Sequence, residues 1–283
     1  MTTEPGERIT IVVISRNRRD DLMQTLSRHT APVVLVDNGS TDGTVTAVRV
    51  AYPNVRVIEL PENLGAAARN VGVEAVQTPY VAFADDDSWW APGSLRRVVR
   101  LMDDHSRLGL VAARILVGPE ERLDAASAEM AASPLPARDD TPGVPILGFV
   151  ACGAVVRRQA FLEVGGFDSV VFFPGEEERV SLDLAAAGWD LSYVDEVVAH
   201  HHPSSQRSPS AARQTLLLRN SVLTAVMRRP WKVVARRSLR SLRHGRAGVA
   251  AVAAVAPRLP AALASRRPVP SQIEARVALL SEP

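Results

Sequence analysis

The 283-residue sequence holds one cysteine, Cys152. That excludes an intramolecular disulfide and leaves any multi-cysteine zinc site without ligands. The opening residues MTTEPGERIT lack the charged-then-apolar pattern of a secretory signal. No apolar run approaches the roughly 20 uninterrupted residues that span a bilayer; the longest Ala/Val-rich piece, Ala247 to Ala256, falls short. A cytosolic protein is therefore expected. No internal repeat is visible. The first β-rich run is followed by SRNRRDD, which contains no glycine. A glycine-rich phosphate fingerprint, and with it a dinucleotide-binding fold, is thereby disfavoured.

Acidic residues are absent between Glu196 and Glu274, and this hides inside a net charge of only +2. Residues 1–200 carry 18 basic and 29 acidic side chains, for −11, whereas residues 201–283 carry 15 basic and 2 acidic, for +13. Such asymmetry marks two segments with different partners. Hydrophobic residues at 46% and charged residues at 23% describe an ordinary globular chain.

The first 115 residues alternate nearly continuous apolar runs with helical patterns. Ile9 to Ser15, Pro32 to Asp37, Val55 to Leu60 and Tyr80 to Asp85 read as buried parallel strands. Asp20 to His29, Thr44 to Val50 and Ala66 to Val76 suit the crossover helices. The expected fold is an α/β, Rossmann-like, mostly parallel sheet with helices on both faces and ligands beyond the carboxyl ends of its strands. Residues 118–145, rich in proline, read as a loop inserted near the mouth of the site. Gly148 to Arg158 reads as a strand, Glu176 to Ala187 as a helix stopped by Gly188, and Leu191 to Val198 as another strand.

Farther on, Ser210 suits the cap of a helix reaching Arg229, and Pro230 the first turn of the next. In that second helix Trp231, Val234, Ala235, Leu239 and Leu242 fall on one face and the basic residues on the other. The division expected is a catalytic domain over 1–205, a basic amphipathic helical extension over 206–247, and a loosely packed Ala/Pro/Arg-rich tail over 248–283.

Several short segments suit chemistry. Asp37 opens DNGSTDGT after a strand, where its carboxylate can accept the imide N–H of uracil or thymine. An ordinary Asx-type turn suits the same residues. Small residues around Ala66 to Ala68 let a helix approach the sheet closely, with Arg69 able to meet a base or a diphosphate, or simply solvent. Asp85-Asp86-Asp87 is sharper, because three carboxylates at the end of an apolar strand need a compensating cation. Oxygen ligands of this kind suit Mg²⁺ or Mn²⁺. Glu176-Glu177-Glu178 either complements a helix dipole or supplies a general base, with Phe172 and Phe173 as a shield from water. His200 to His202 could lend an imidazole to a metal or form a plain surface cluster.

In this order the pieces IVVISRNR, VLVDNGSTDGT, ENLGAAARNVGV, VAFADDD, GAVVRRQAFLEVGGFDSVVFF, GEEE, AAGW and the histidine after Val198 resemble the family 2 glycosyltransferases, over roughly residues 9–205. The resemblance implies a GT-A fold and an inverting, nucleotide-sugar-dependent transferase with a DXD-type metal motif. Ser15 and Asp37 would hold the base, Arg69 the base or phosphates, and Asp85 with Asp86 the ribose or sugar. Asp87 and His200 would ligate Mn²⁺ or Mg²⁺. The catalytic base would be Glu177 or Glu176. The family's Glu-Asp-x-Asp pattern and following Arg are changed here, with Glu177, Arg179 and Asp183 at those positions. An Arg179/Asp183 pair at i, i+4 suits a reversed structural ion pair. Arg16 stands where a tyrosine is common in the family.

The expected reaction moves a hexosyl or deoxyhexosyl group from a UDP- or dTDP-sugar to an acceptor hydroxyl. The acceptor would be carbohydrate, lipid-linked or a small molecule, in cell-envelope polysaccharide, glycolipid or natural-product glycoside synthesis. Residues 229–246 would meet an anionic membrane surface, making the protein cytoplasmic and peripheral to the membrane, or would clamp the acidic body. Nucleic acid is not an expected partner, since this segment has one aromatic and no known module. The alternatives are a catalytically silent nucleotide-sugar-binding or membrane-docking protein and, with less support, a nucleotidyltransferase.

Overall fold

The computed structural model describes residues 8–138, 140–204 and 210–280. Ten strands join one sheet: β1 (Ile9–Ser15), β2 (Val33–Asp37), β3 (Arg56–Glu59), β4 (Tyr80–Asp85), β5 (Ser88–Trp90), β6 (Leu108–Val117), β7 (Arg122–Leu123), β8 (Val144–Pro145), β9 (Ala154–Arg157) and β10 (Asp190–His201). Their order is β3-β2-β1-β4-β9-β6-β10-β5, with β7 beside β6 and β8 beside β10. The longest ladders are parallel, joining β3, β2, β1 and β4, and separately β6 with β10. Between these halves β9 runs antiparallel to both β4 and β6.

Alternation along β1 shows why its apolar run is continuous. Ile9, Ile11 and Val13 enter the core on one face, with Leu22, Val48 and Val98. Val12 enters the other, with Val73, Phe161 and Leu184. A strand covered on both faces has no solvent side to keep polar. The helix Ala68–Ala75 lies close to the sheet, and a Cβ added to Gly72 would lie 2.4 Å from a methyl of Val12. Gly72 sets that layer spacing, and Ala66 and Ala68, the small residues read from the sequence, are buried in the same core.

The strand read as buried over Val55 to Leu60 is β3, which lies at the sheet edge with Arg56 and Glu59 exposed. Three longer regions also differ from the sequence reading. Within 118–145 the chain forms β7, the helix Ala125–Ala131 and β8, and buries Met130 and Leu135. In AASAEMA the apolar period is masked by alanines. Asp124 caps that helix by accepting from the Ala126 N–H at 2.8 Å. Gly148 to Arg158 is extended only over Ala154–Arg157, preceded by a 3₁₀ turn at Ala151–Gly153.

The third difference is the C-terminal region, where a loose tail was expected. The helices Gly245–Ala253, Leu259–Ala264 and Ser271–Leu279 bury Ala251, Val255, Ala262, Val269 and Ile273. Val255 and Ala262 pack with Val222, Leu223, Val226 and Met227 of the helix Ser210–Arg228. Val269 and Ile273 return to the main core. Ser210 begins its helix, and its side chain lies outside the described residues. Residues 245–264 are long and apolar enough to cross a membrane by length and composition, although Arg246 and Arg258 interrupt the run.

The helix Trp231–Leu242 shows features of both jobs read for it from the sequence. Its apolar residues Trp231, Leu239 and Leu242 are exposed, while Arg237 turns toward the body. The Glu178 carboxylate is a better partner for that guanidinium than water alone.

Candidate active site

Register brings the candidate residues together. Ser15 pairs with Asp37 across β1 and β2, and Ile14 with Asp85 across β1 and β4. All three strands therefore end at one carboxyl edge. The turn after β2 is tied down locally: the Ser40 N–H donates to Asp37 Oδ2 at 2.9 Å, and the Asn38 N–H to the Ser15 carbonyl at 2.8 Å. Asn38 also bridges to the next loop, donating from Nδ2 to the Gly65 carbonyl at 3.0 Å and accepting from the Leu64 N–H at 2.7 Å. Asp37 is buried, and its Oδ1 meets no hydrogen-bond partner among the described residues. A buried acceptor left in that state suits a donor supplied by a ligand.

Arg69 lies at the centre. Its Nη2 is 2.5 Å from Asp85 Oδ1, and its Nη1 is 3.6 Å from Glu176 Oε1. Arg69 and Glu176 are each 1% exposed. The guanidinium thus joins the aspartate at the end of β4 to the acidic run that opens the helix Glu177–Ala186. Burial pushes the Glu176 carboxyl well up, the neighbouring Glu177 adds to the rise, and Arg69 opposes it. Glu177 is also raised, chiefly by burial. It is less enclosed than Glu176, and its Oε1 accepts from the Ala151 N–H at 3.4 Å.

The third member of the acidic run, Glu178, and the following Arg179 face elsewhere. Glu178 binds Arg237 through both oxygens, at 2.6 and 2.9 Å. Arg179 Nη2 is 3.0 Å from Asp183 Oδ2, forming the i, i+4 pair expected from sequence. Arg179 also donates to the Val164 carbonyl at 3.2 Å, and Arg228 Nη2 reaches Asp183 Oδ2 at 3.1 Å.

The aspartate run divides three ways. Asp85 takes Arg69. Asp86 has its carboxyl pushed well up by burial and by Asp87 and Asp85, with the nearby Ser15 hydroxyl and Arg18 pulling the other way. Its carbonyl accepts from Thr25 Oγ1 at 2.8 Å. Asp87 is buried; its Oδ2 accepts from the Ser204 N–H at 3.0 Å, and its Oδ1 lies 3.3 Å from His201 Nε2.

His200 does not join Asp87. Adjacent residues of a strand face opposite sides, and the pairing of His201 with Ser88 sends His201 toward the aspartates. His200 instead stacks on Trp89, with ring centroids 5.2 Å apart, and its Nδ1 is 3.5 Å from Glu121 Oε1. The period-2 rule was available in the sequence, but its parity depends on the β5 register.

Phe172, read from the sequence as half of a shield before the acidic run, is seated against Gly65. A Cβ on Gly65, whose φ is +61°, would lie 2.7 Å from the Phe172 ring. The Ala66 N–H donates to the Phe172 carbonyl at 2.9 Å. Phe173 is exposed. Arg16 is exposed beside the Asn17 turn, whose side-chain oxygen accepts from the Thr41 N–H at 2.8 Å.

A family profile described as "Glycosyl transferase family 2" matches residues 10–165, which contain Ser15, Asp37, Arg69 and the aspartate run. The N-acetylglucosaminyl-diphospho-decaprenol L-rhamnosyltransferase of Mycobacterium tuberculosis is 30% identical over 219 residues, 63% of this chain and 69% of that protein. The pre-mycofactocin glycosyltransferase of the same organism is 32% identical over 207 residues, 70% of this chain and 44% of that protein. Among solved structures, the Pyrobaculum calidifontis mannosyltransferase PcManGT in complex with GDP-Man and Mn²⁺ has a TM-score of 0.60 at 20% identity, covering 98% of this chain and 80% of the other. GalNAc-T7 with UDP, GalNAc and Mn²⁺ has a TM-score of 0.62 at 14% identity, covering 87% and 52%. These structural likenesses show the GT-A fold. The alternatives of a silent binding protein and of a nucleotidyltransferase give way to the sequence relationship. With its strand-end carboxylates and acidic helix start gathered around Arg69, this chain belongs to the family 2 glycosyltransferases and is a glycosyltransferase enzyme.

Proposed function

We propose that this enzyme moves a sugar from a UDP- or dTDP-sugar to a hydroxyl of a lipid-linked acceptor in cell-envelope polysaccharide synthesis, with inversion. The observation that carries this reading is the placement of Arg69 between Asp85 and Glu176. It joins a strand edge suited to a nucleotide to a helix start suited to a base. The acceptor class is drawn from the rhamnosyltransferase relative, whose name describes a diphospho-decaprenol acceptor.

On this reading Asp37 Oδ1 accepts the imide N–H of the base, and Ser15 lies beside it at the same strand edge. Asp85 and Asp86 line the ribose and sugar, with Arg69 holding Asp85 in place. Among the described residues no group of three or more His, Cys, Asp and Glu forms a ready-made metal cage. The crowded aspartates, with Asp87 beside His201, nevertheless fit a cation that keeps positions open for phosphate oxygens. Asp87 and His201 would hold Mn²⁺ or Mg²⁺. When bound, the ion neutralises charge on the departing diphosphate.

Glu177 is assigned the base, because Glu176 is sealed against Arg69 whereas Glu177 is more open. Burial raises its carboxyl, which makes it a stronger base than an exposed glutamate. Glu177 takes the acceptor hydroxyl proton as that oxygen bonds to the anomeric carbon. The bond from that carbon to the diphosphate breaks on the opposite side, and configuration inverts. Glu176 positions Arg69.

The test is a thermal-shift series with UDP, dTDP, GDP and CDP, each with and without Mn²⁺. UDP or dTDP should raise the midpoint, more so with the metal, and Asp37→Ala should remove the shift. A folded sample stabilised only by GDP, or equally by all four, would overturn the base assignment. Turnover that survives Asp87→Ala would overturn the metal assignment.

A further inference from the structure

The basic residues after Glu196 divide into two sets. Arg228, Arg229 and Arg237 turn inward and meet Asp183, Glu274 and Glu178. Lys232, Arg236, Arg240, Arg243 and Arg246 remain exposed, and no acidic residue occurs near them in the sequence. Exposed among them are Trp231 (56%), Leu239 (64%), Leu242 and Val249. Large apolar side chains on a soluble surface have a hydration cost that only a partner removes. Here the apolar side chains are interleaved with cations, a pattern that complements the acyl boundary and anionic headgroups of a lipid leaflet.

Contacts link this surface to the segment that leads into the acidic helix start. His244 Nδ1, just past the helix Trp231–Leu242, lies 3.3 Å from Gln214 Nε2. The preceding residue, Arg213, sits over the exposed Phe173 ring at 5.8 Å. One turn on, exposed Leu217 comes within 3.4 Å of where a Gly175 Cβ would be. Asn220 Nδ2 donates to the Pro174 carbonyl at 2.6 Å. Gly175 is followed directly by Glu176 and Glu177. A continuous edge thus runs from the basic helix to the acidic helix start.

We infer that the exposed face of residues 231–249 docks on an anionic lipid surface and brings the Arg213–Phe173–Leu217 edge to the headgroups. A membrane-held acceptor reaches Glu177 along that edge without leaving the leaflet. The second half of this inference rests on the assignment of Glu177; the docking itself does not.

The test uses the full chain and extruded vesicles of phosphatidylcholine alone or with 30 mol% phosphatidylglycerol, separated by flotation. Wild-type protein should float with the anionic vesicles and be released by high salt. Arg240→Glu with Arg243→Glu should weaken partitioning at least ~25-fold, from about fivefold per basic side chain. Trp231→Ser with Leu239→Ser should weaken it in low salt as well. Thermal midpoints of the arginine variant should stay near wild type, since those side chains face outward, and Trp231→Ser loses only the contact with the Arg266 guanidinium, 4.0 Å from the ring centroid. Nucleotide binding, read by the thermal-shift series, should be unchanged, so its failure is separable from failure of docking. Absence of flotation, equal binding to both vesicle types, or unchanged binding by folded Arg240/Arg243 variants would overturn the proposal. A wild-type dimer that becomes monomeric on Trp231→Ser with Leu239→Ser would overturn it in favour of a second copy of the chain.

Discussion

Arg69 and Glu176 face one another 3.6 Å apart with almost no exposure, and the same guanidinium holds Asp85. Removing the cation strands a buried carboxylate, which then protonates or destabilises the fold. Arg69→Met should lower stability by about 3–5 kcal/mol. The double variant Arg69→Met with Glu176→Gln should recover part of that loss. Chemical denaturation of the four members of the cycle measures the coupling; additive losses would deny the pair.

Glu177 and Glu176 should separate in kinetics. Glu177→Gln is expected to reduce kcat by about 10²–10⁴-fold, the usual range for a general base, with nucleotide binding intact. Glu176→Gln should chiefly disturb donor binding through Arg69. In the wild type the base must be ionised, and burial raises its carboxyl. Activity should therefore fall as pH drops through a midpoint above the ordinary carboxylate range. A pH–rate profile for both variants checks the assignment, and a larger kcat loss in Glu176→Gln would exchange the two roles.

Stability should itself depend on pH through His29. Burial lowers its imidazole from 6.5 to about 4, and neither ring nitrogen meets a partner among the described residues. Between these values the unfolded chain binds the proton and the folded chain does not. Stability is then fully present above about pH 6.5 and is lost as pH falls toward 4, by on the order of 3 kcal/mol. His29→Leu should flatten that limb in denaturation midpoints taken from pH 4 to 7.

Gly65 should resist substitution for two reasons. Its positive φ is strained for any residue with a Cβ, and that Cβ would enter the Phe172 ring. Gly65→Ala should cost about 1–3 kcal/mol. Displacement of Phe172 should also raise the acceptor KM more than the donor KM. Steady-state kinetics with each substrate varied would expose the opposite pattern.

Much of this arrangement was legible in the sequence, because its signals are local. Buried parallel strands are written as unbroken apolar runs, and strand-end aspartates must share an edge once the strands are parallel. The Arg179/Asp183 pair follows from helical spacing alone. What could not be read depends on partners far away in sequence. Whether His200 or His201 meets Asp87 is set by the β5–β10 register. Arg237 of the helix Trp231–Leu242 meets Glu178, some 59 residues away. Ala-rich helices such as Ala125–Ala131 and Gly245–Ala253 carry little periodic contrast, so their burial shows only when their neighbours are in place.

The helix Glu177–Ala186 is held from outside the sheet by Arg228 and Arg237, while the edge assigned to the nucleotide is complete before residue 90. In the proposed reading the chain therefore recognises its two substrates with two separate lengths of sequence. Substitutions in the C-terminal third can change what is glycosylated while the early strands keep what is transferred. Inheritance of donor and acceptor preference need not be coupled in such an enzyme, and one nucleotide edge can serve many acceptors.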